Sequence, residues 1–173
     1  MNSKLTLLAL IEILTALSLG VAILASTYLL LKYVGSRKYG IEKNNQAYGI
    51  FMASVLFSVG YIVSGVIQPL LSLFRILSTR DTSTLHLALS FFGIGAIYNF
   101  AAFAVALLVC LLGMALYNYI TPIDEMTEMR NNNLAVAMVV GSIIVTLSLM
   151  TRDGVSLLLE SFIPYPEMYP KGQ

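Results

Sequence analysis

Four stretches of this sequence carry no charged residue: 13–31, 44–74, 87–123 and 131–151. A hydrocarbon core about 30 Å thick takes roughly 20 residues of helix at 1.5 Å per residue, so each stretch is close to or beyond the length needed to cross it. Few other folds accept runs this long. Of the 173 residues, 58% are hydrophobic and only 11% charged, where soluble domains carry roughly 25% charged residues. That balance leaves too little polar surface to keep a globule in water. The fold class that follows is an all-α membrane protein with four transmembrane helices, and its first partner is the lipid bilayer.

Lys4 precedes an apolar run that reaches the small residues Ala25 and Ser26, as a secretory signal would. The run continues through Tyr28 to Leu31, too long for a cleaved segment, and is read as the first span, about Leu5 to Val34. Lys32, Tyr33, Arg37 and Lys38 close it with the tyrosine and cation cluster of a membrane interface. The second span covers about Gln46 to Leu71, with Gln68-Pro69 kinking or ending it. The third, about Leu87 to Tyr119, is rich in glycine and alanine and is expected inside the bundle. Thr121-Pro122-Ile123-Asp124 predicts a helix start that runs on into the fourth span, about Leu134 to Thr151. Beyond Arg152-Asp153-Gly154, Val155 to Ile163 reads as a short interfacial C-terminal segment, and prolines 164, 166 and 170 forbid further helix.

Displacing the sequence by 88 positions superposes Asn44-Asn45 on Asn132-Asn133, Ala47 on Ala135, Ser54 on Ser142, and Phe74 on Phe162. Matching leucines are common by chance; paired asparagines are not. The same displacement carries Gly49-x-x-x-Ala53 onto Ala137-x-x-x-Gly141, a spacing that puts two small residues on one helix face and lets a neighbouring backbone approach. The layout is therefore a first two-helix repeat at 1–78, a connector at 79–85, a second repeat at 86–163 and a Pro/Tyr-rich tail at 164–173. Two spans per unit return the chain to its starting side, so the repeats are parallel, related by a pseudo-two-fold axis along the membrane normal.

The second copy reads Glu128-Met129-Arg130-Asn131-Asn132-Asn133-Leu134-Ala135-Val136-Ala137: a glutamate, an asparagine five residues later, then small residues opening a helix. In this it resembles the YjfL-like inner-membrane proteins, the domain-of-unknown-function 350 family. The first copy keeps Asn44, Asn45 and Ala47 but has Gly40 where the glutamate would fall, so a role needing both glutamates is in question. The resemblance implies a bacterial-type protein of the prokaryotic plasma (inner) membrane, with no assigned activity.

Candidates for chemistry are few. A net charge of +1 gives no electrostatic case for nucleic acid. The single Cys110 sits in an apolar run and reads as a buried thiol; the single His86 reads as interfacial. Asp124 and Glu128 share a helix face and would hold a divalent cation between them, or serve the positive end of a helix dipole. Asn45 and Asn133 are either helix caps or the lining of a polar path. Glu12 lies within the first apolar run, where an ionisable group is costly and marks function unless it snorkels to the interface. Asn99, one residue from the repeat-equivalent of Glu12, is expected to hydrogen-bond to another helix. No metal or cofactor is expected.

These features favour a non-enzymatic membrane subunit that packs with copies of itself or with other membrane proteins. The alternatives are a small cation channel or transporter, and a membrane-stress or lipid-sensing accessory. Orientation is a tie: Lys4, Arg75, Arg80, Arg152 and Lys171 stand on one side against Lys32, Arg37, Lys38, Lys43 and Arg130 on the other. The tight Arg37-Lys38 pair favours a cytoplasmic first hairpin.

Overall fold

The computed structural model describes residues 3–42, 44–78 and 84–163, and only the backbone of 3–9, 11, 12, 15, 74, 75, 77, 78 and 84–91. The side chains of Glu12 and His86 thus lie outside the described residues, as do positions 79–83 of the expected connector and the tail at 164–173. Every element among the described residues is helical: α1 (Ser3–Tyr33) continuing into a π-helical turn (Val34–Lys38), α2 (Gln46–Ser64), α3 (Ile67–Ser78), α4 (Thr84–Ile120), α5 (Glu125–Arg130) and α6 (Leu134–Glu160). Four stretches, Ala16–Lys38, Gln46–Leu73, Phe92–Ile120 and Leu134–Glu160, are long and apolar enough to cross a membrane. The chain is an integral membrane protein.

Helices apolar on every side need apolar surroundings on every side. Here the bundle covers one face and leaves the other bare, with Phe100 73% and Met150 77% exposed. Such faces are stable against lipid tails and not against water. Packing within hydrocarbon draws on close van der Waals contact, which small residues permit. A Cβ on Gly113 of α4 would stand 2.7 Å from Ile144 Cγ1 of α6, and one on Gly141 of α6 would stand 3.0 Å from Ser54 Cβ of α2.

α2 is the centre of the bundle, packed against α1, α4 and α6, with Phe51, Val55, Val59 and Ile62 buried. Its pairing with α6, and that of α3 with α6 beyond it, has a fixed register. Asn45 bonds to Met129, Ala47 to Asn132, Ser64 to Arg152 and Ser72 to Glu160. The separations are 84, 85, 88 and 88 residues. A nearly constant difference means parallel helices; antiparallel ones would hold the sum constant. Because 88 is also the displacement at which the sequence superposes on itself, matching positions meet each other at Ser64/Arg152 and Ser72/Glu160.

Asn45 to Ser64 and Asn133 to Arg152 are each 19 residues, about 28 Å of helix at 1.5 Å per residue. That is close to the hydrocarbon thickness, and both apolar stretches run on past it, to Leu73 and Glu160.

The second span reaches Leu73 and is interrupted at Gly65-Val66, the kink that Gln68-Pro69 predicts, because Pro69 has no N–H for the Gly65 carbonyl and its ring crowds that oxygen. Two boundaries differ from the sequence reading. Arg152-Asp153-Gly154 does not end the fourth span: α6 continues to Glu160, and the supposed interfacial segment is its last turns, with Val155 and Leu159 buried beside α3. One interior glycine costs about 1 kcal/mol, which this packing offsets. The helix start near Thr121 is capped by Asp124, whose side chain accepts from Met126 N–H, and α5 stops at Arg130 instead of running into α6.

Candidate functional site

The loop end of the bundle gathers most of the polar residues that the sequence singles out. α5 closes in a Schellman arrangement: Asn132 takes φ +61°, its N–H donates to Met129 C=O (3.0 Å), and Asn133 N–H donates to Glu128 C=O (3.0 Å). Asparagine tolerates this left-handed conformation better than most residues. The turn leaves the Asn132 side chain pointing across the repeat boundary, where Oδ1 accepts from Ala47 N–H of α2 at 3.0 Å. Asn45 caps the same helix from within, accepting from Tyr48 N–H at 2.7 Å. Its amide nitrogen donates to the carbonyls of Met129 (2.7 Å) and Arg130 (3.1 Å). One repeat thus caps the other, and each amide group of the pair is bonded.

The missing glutamate of the first copy has a structural counterpart. In the second copy Asn133 caps α6 through Val136 N–H, and its Nδ2 donates to Glu128 Oε2 at 2.7 Å. In the first copy Gly40, at φ +62°, offers no carboxylate, and the equivalent amide of Asn45 reaches the second repeat instead. Loss of an internal partner and gain of a cross-repeat bond are the same change. Asn44 is exposed and lines, with Gly40, Glu42, Asn45 and Arg130 to Asn132, a polar recess of about 380 Å³ at this end.

The acidic group does not converge on one point. Asp124 serves Met126 N–H and Thr127 Oγ1, and Glu128 serves Asn133. The Thr127 hydroxyl holds Asp124 below its ordinary pKa. Glu125 is different: it is 4% exposed, and its Oε2 has no hydrogen-bond partner. Burial, first of all, and then the neighbouring Asp124 charge raise its pKa, against hydrogen bonds from its own backbone and from Asn118.

The small-residue faces are unequal. Ala137 and Gly141 are buried, with Gly141 against Ser54 of α2, whereas Gly49 and Ala53 are exposed. A Cβ on Gly49 would meet nothing within 4 Å. Helix packing inside the chain therefore uses only the second copy's pair. Asn99 is 8% exposed, but its Nδ2 donates to Gly95 C=O (2.8 Å) one turn back and not to another helix. Back-bonding satisfies the amide locally, and so the expected cross-helix bond is replaced.

Two arrangements have no local signature in the sequence. The Tyr48 hydroxyl enters the end of α1, donating to Leu31 C=O at 2.6 Å and accepting from Gly35 N–H. It ties two backbone groups one helical turn apart just where the helix widens into its π turn. Gly35 is required there, since a Cβ would stand 2.5 Å from the Tyr48 ring. Toward the other end of α2, Arg152 donates from Nε to Ser64 Oγ (3.2 Å), pairs with Asp153 (3.1 Å) and lies 5.2 Å over the Tyr61 ring.

Residues 91–163, which hold the Glu128–Asn133 motif and the fourth span, match the family described as Domain of Unknown Function (DUF350). No curated protein and no solved structure matches the chain.

Proposed function

Starting from four membrane-crossing helices and a second half that matches a family of unknown function, we propose that this chain is a non-enzymatic subunit of the prokaryotic plasma (inner) membrane. It packs with copies of itself or with other membrane proteins. The observation behind this reading is the outer face of α2. Gly49 and Ala53 form the same small-xxx-small spacing that seats α6 against α2 in the second repeat, yet here they face outward with room for a neighbouring backbone. The asparagines offer little support to a permeation path, because their amides already serve backbone groups and Glu128.

Light scattering after purification in mild detergent should return a homo-oligomer or a complex with a second membrane protein. Gly49→Leu should diminish that species at unchanged helix content, since a Cβ there meets nothing of its own chain within 4 Å. A lone monomer from the parent protein would overturn the reading.

A further inference from the structure

Between α1, the α2–α3 break and α4 the bundle leaves an apolar recess of about 230 Å³. Small residues keep it open where helices would otherwise touch: Ala16 and Gly20 on α1, Gly60 on α2 and Gly95 on α4. Asn99 lines it too, with its Nδ2 committed to Gly95 C=O. We propose that this recess holds one acyl chain of a bilayer phospholipid.

Three observations support that occupant. The volume exceeds the roughly 150 Å³ that takes up a benzene and falls short of the roughly 300 Å³ at which pockets for drug-sized ligands begin, a size suited to a stretch of alkyl chain. The recess is continuous with the lipid-facing surface: it shares Leu19, Ile23 and Asn99 with a shallower groove along the α1/α4 seam that runs out to the exposed Phe100. A chain enters sideways from the bilayer along a mostly apolar path, past Ser26 and Asn99, whose hydroxyl and amide donate to carbonyls of their own helices. Finally, Ser64 lines the recess and accepts from Arg152, whose guanidinium also pairs with Asp153. A guanidinium bonded to the wall of the recess leaves further N–H groups for the phosphate of the same lipid.

The test reconstitutes the full chain in phosphatidylcholine vesicles containing a tracer whose acyl chain bears a photoreactive diazirine, followed by peptide mapping after illumination. Labelling should concentrate on segments around Gly20, Gly60 and Gly95 over the outward Leu17, which is 62% exposed. Gly20→Leu with Gly60→Leu should reduce it severalfold at those segments only, while Gly93→Leu leaves it unchanged. A Cβ at Gly20 or Gly93 meets nothing within 4 Å and one at Gly60 meets Leu24 at an ordinary 3.6 Å, so the leucines have space. Equal labelling along the whole exposed face would mean annular lipid alone and overturn the proposal. So would absence of label in the recess, which would mean that protein covers it, or unchanged label in the filled variant.

Discussion

Tyr48 and Gly35 lie 13 residues apart, and nothing in their local sequence couples them. Their bond exists because the first hairpin folds α2 back along α1, so only the tertiary arrangement makes it visible. Gly35→Ala forces the ring away and should cost about 1–3 kcal/mol as an overpacked contact. Tyr48→Phe keeps the shape and leaves the Leu31 carbonyl and the Gly35 N–H unbridged, for roughly 1–3 kcal/mol. Unfolding titrations in detergent, followed by circular dichroism, measure both. Asp124 and Glu128 were legible in the sequence as carboxylates on one helix face, but the burial of Glu125 between them was not. Since Glu125 has its folded pKa raised, its favourable contribution is present below the ordinary carboxylate range and is lost as pH rises through the folded value. Glu125→Gln, neutral throughout, should melt above the parent at alkaline pH, with the gap closing on acidification. The depressed Asp124 acts in the other direction, contributing above the ordinary range and losing that contribution as pH falls.

Helix existence was readable at this scale because a membrane span is set by length and the absence of charge, both plain in a sequence. Where helices stop was less so. Proline at 69 announced a break, but the interruption appears at the carbonyl four residues earlier, and Gly154 looked like a terminator while neighbouring α3 carries α6 past it. The capping role of Asn45 and Asn133 was one of two open readings; Asn132 reaching across to a different repeat could not be inferred, because the cap and the helix it serves are 85 residues apart. Asn132→Gly preserves the left-handed backbone and removes only the cap, so it should cost about 1 kcal/mol. Asn132→Ala adds the conformational penalty of roughly 1–2 kcal/mol. Asn45→Ala, which removes a cap and uncovers two carbonyls, should cost about 1–3 kcal/mol. The same unfolding titrations rank the three, and an Asn132→Ala no worse than Asn132→Gly would contradict the assigned turn.

At the scale of the molecule, the bonds between Ser64 and Arg152 and between Ser72 and Glu160 join positions 88 apart, the displacement at which the sequence superposes on itself. With Cys110→Ser as background, the cysteine pairs Ser64→Cys/Arg152→Cys and Ser72→Cys/Glu160→Cys should each cross-link within one chain under mild oxidation. An inverted arrangement would join at most one of them. What the displacement could not foretell is the inequality of the halves, since a pattern of small residues does not say which copy turns its face inward. A seam on which matching positions meet is the surface two identical subunits would share about a dyad. A single unit inserting in one direction would already have been able to pair with its twin. Once both are carried by one polypeptide, neither has to complement itself any longer. One half is then free to surrender a carboxylate and keep a bare flank, and the other to supply the missing contacts, a division of labour closed to a symmetric ancestor.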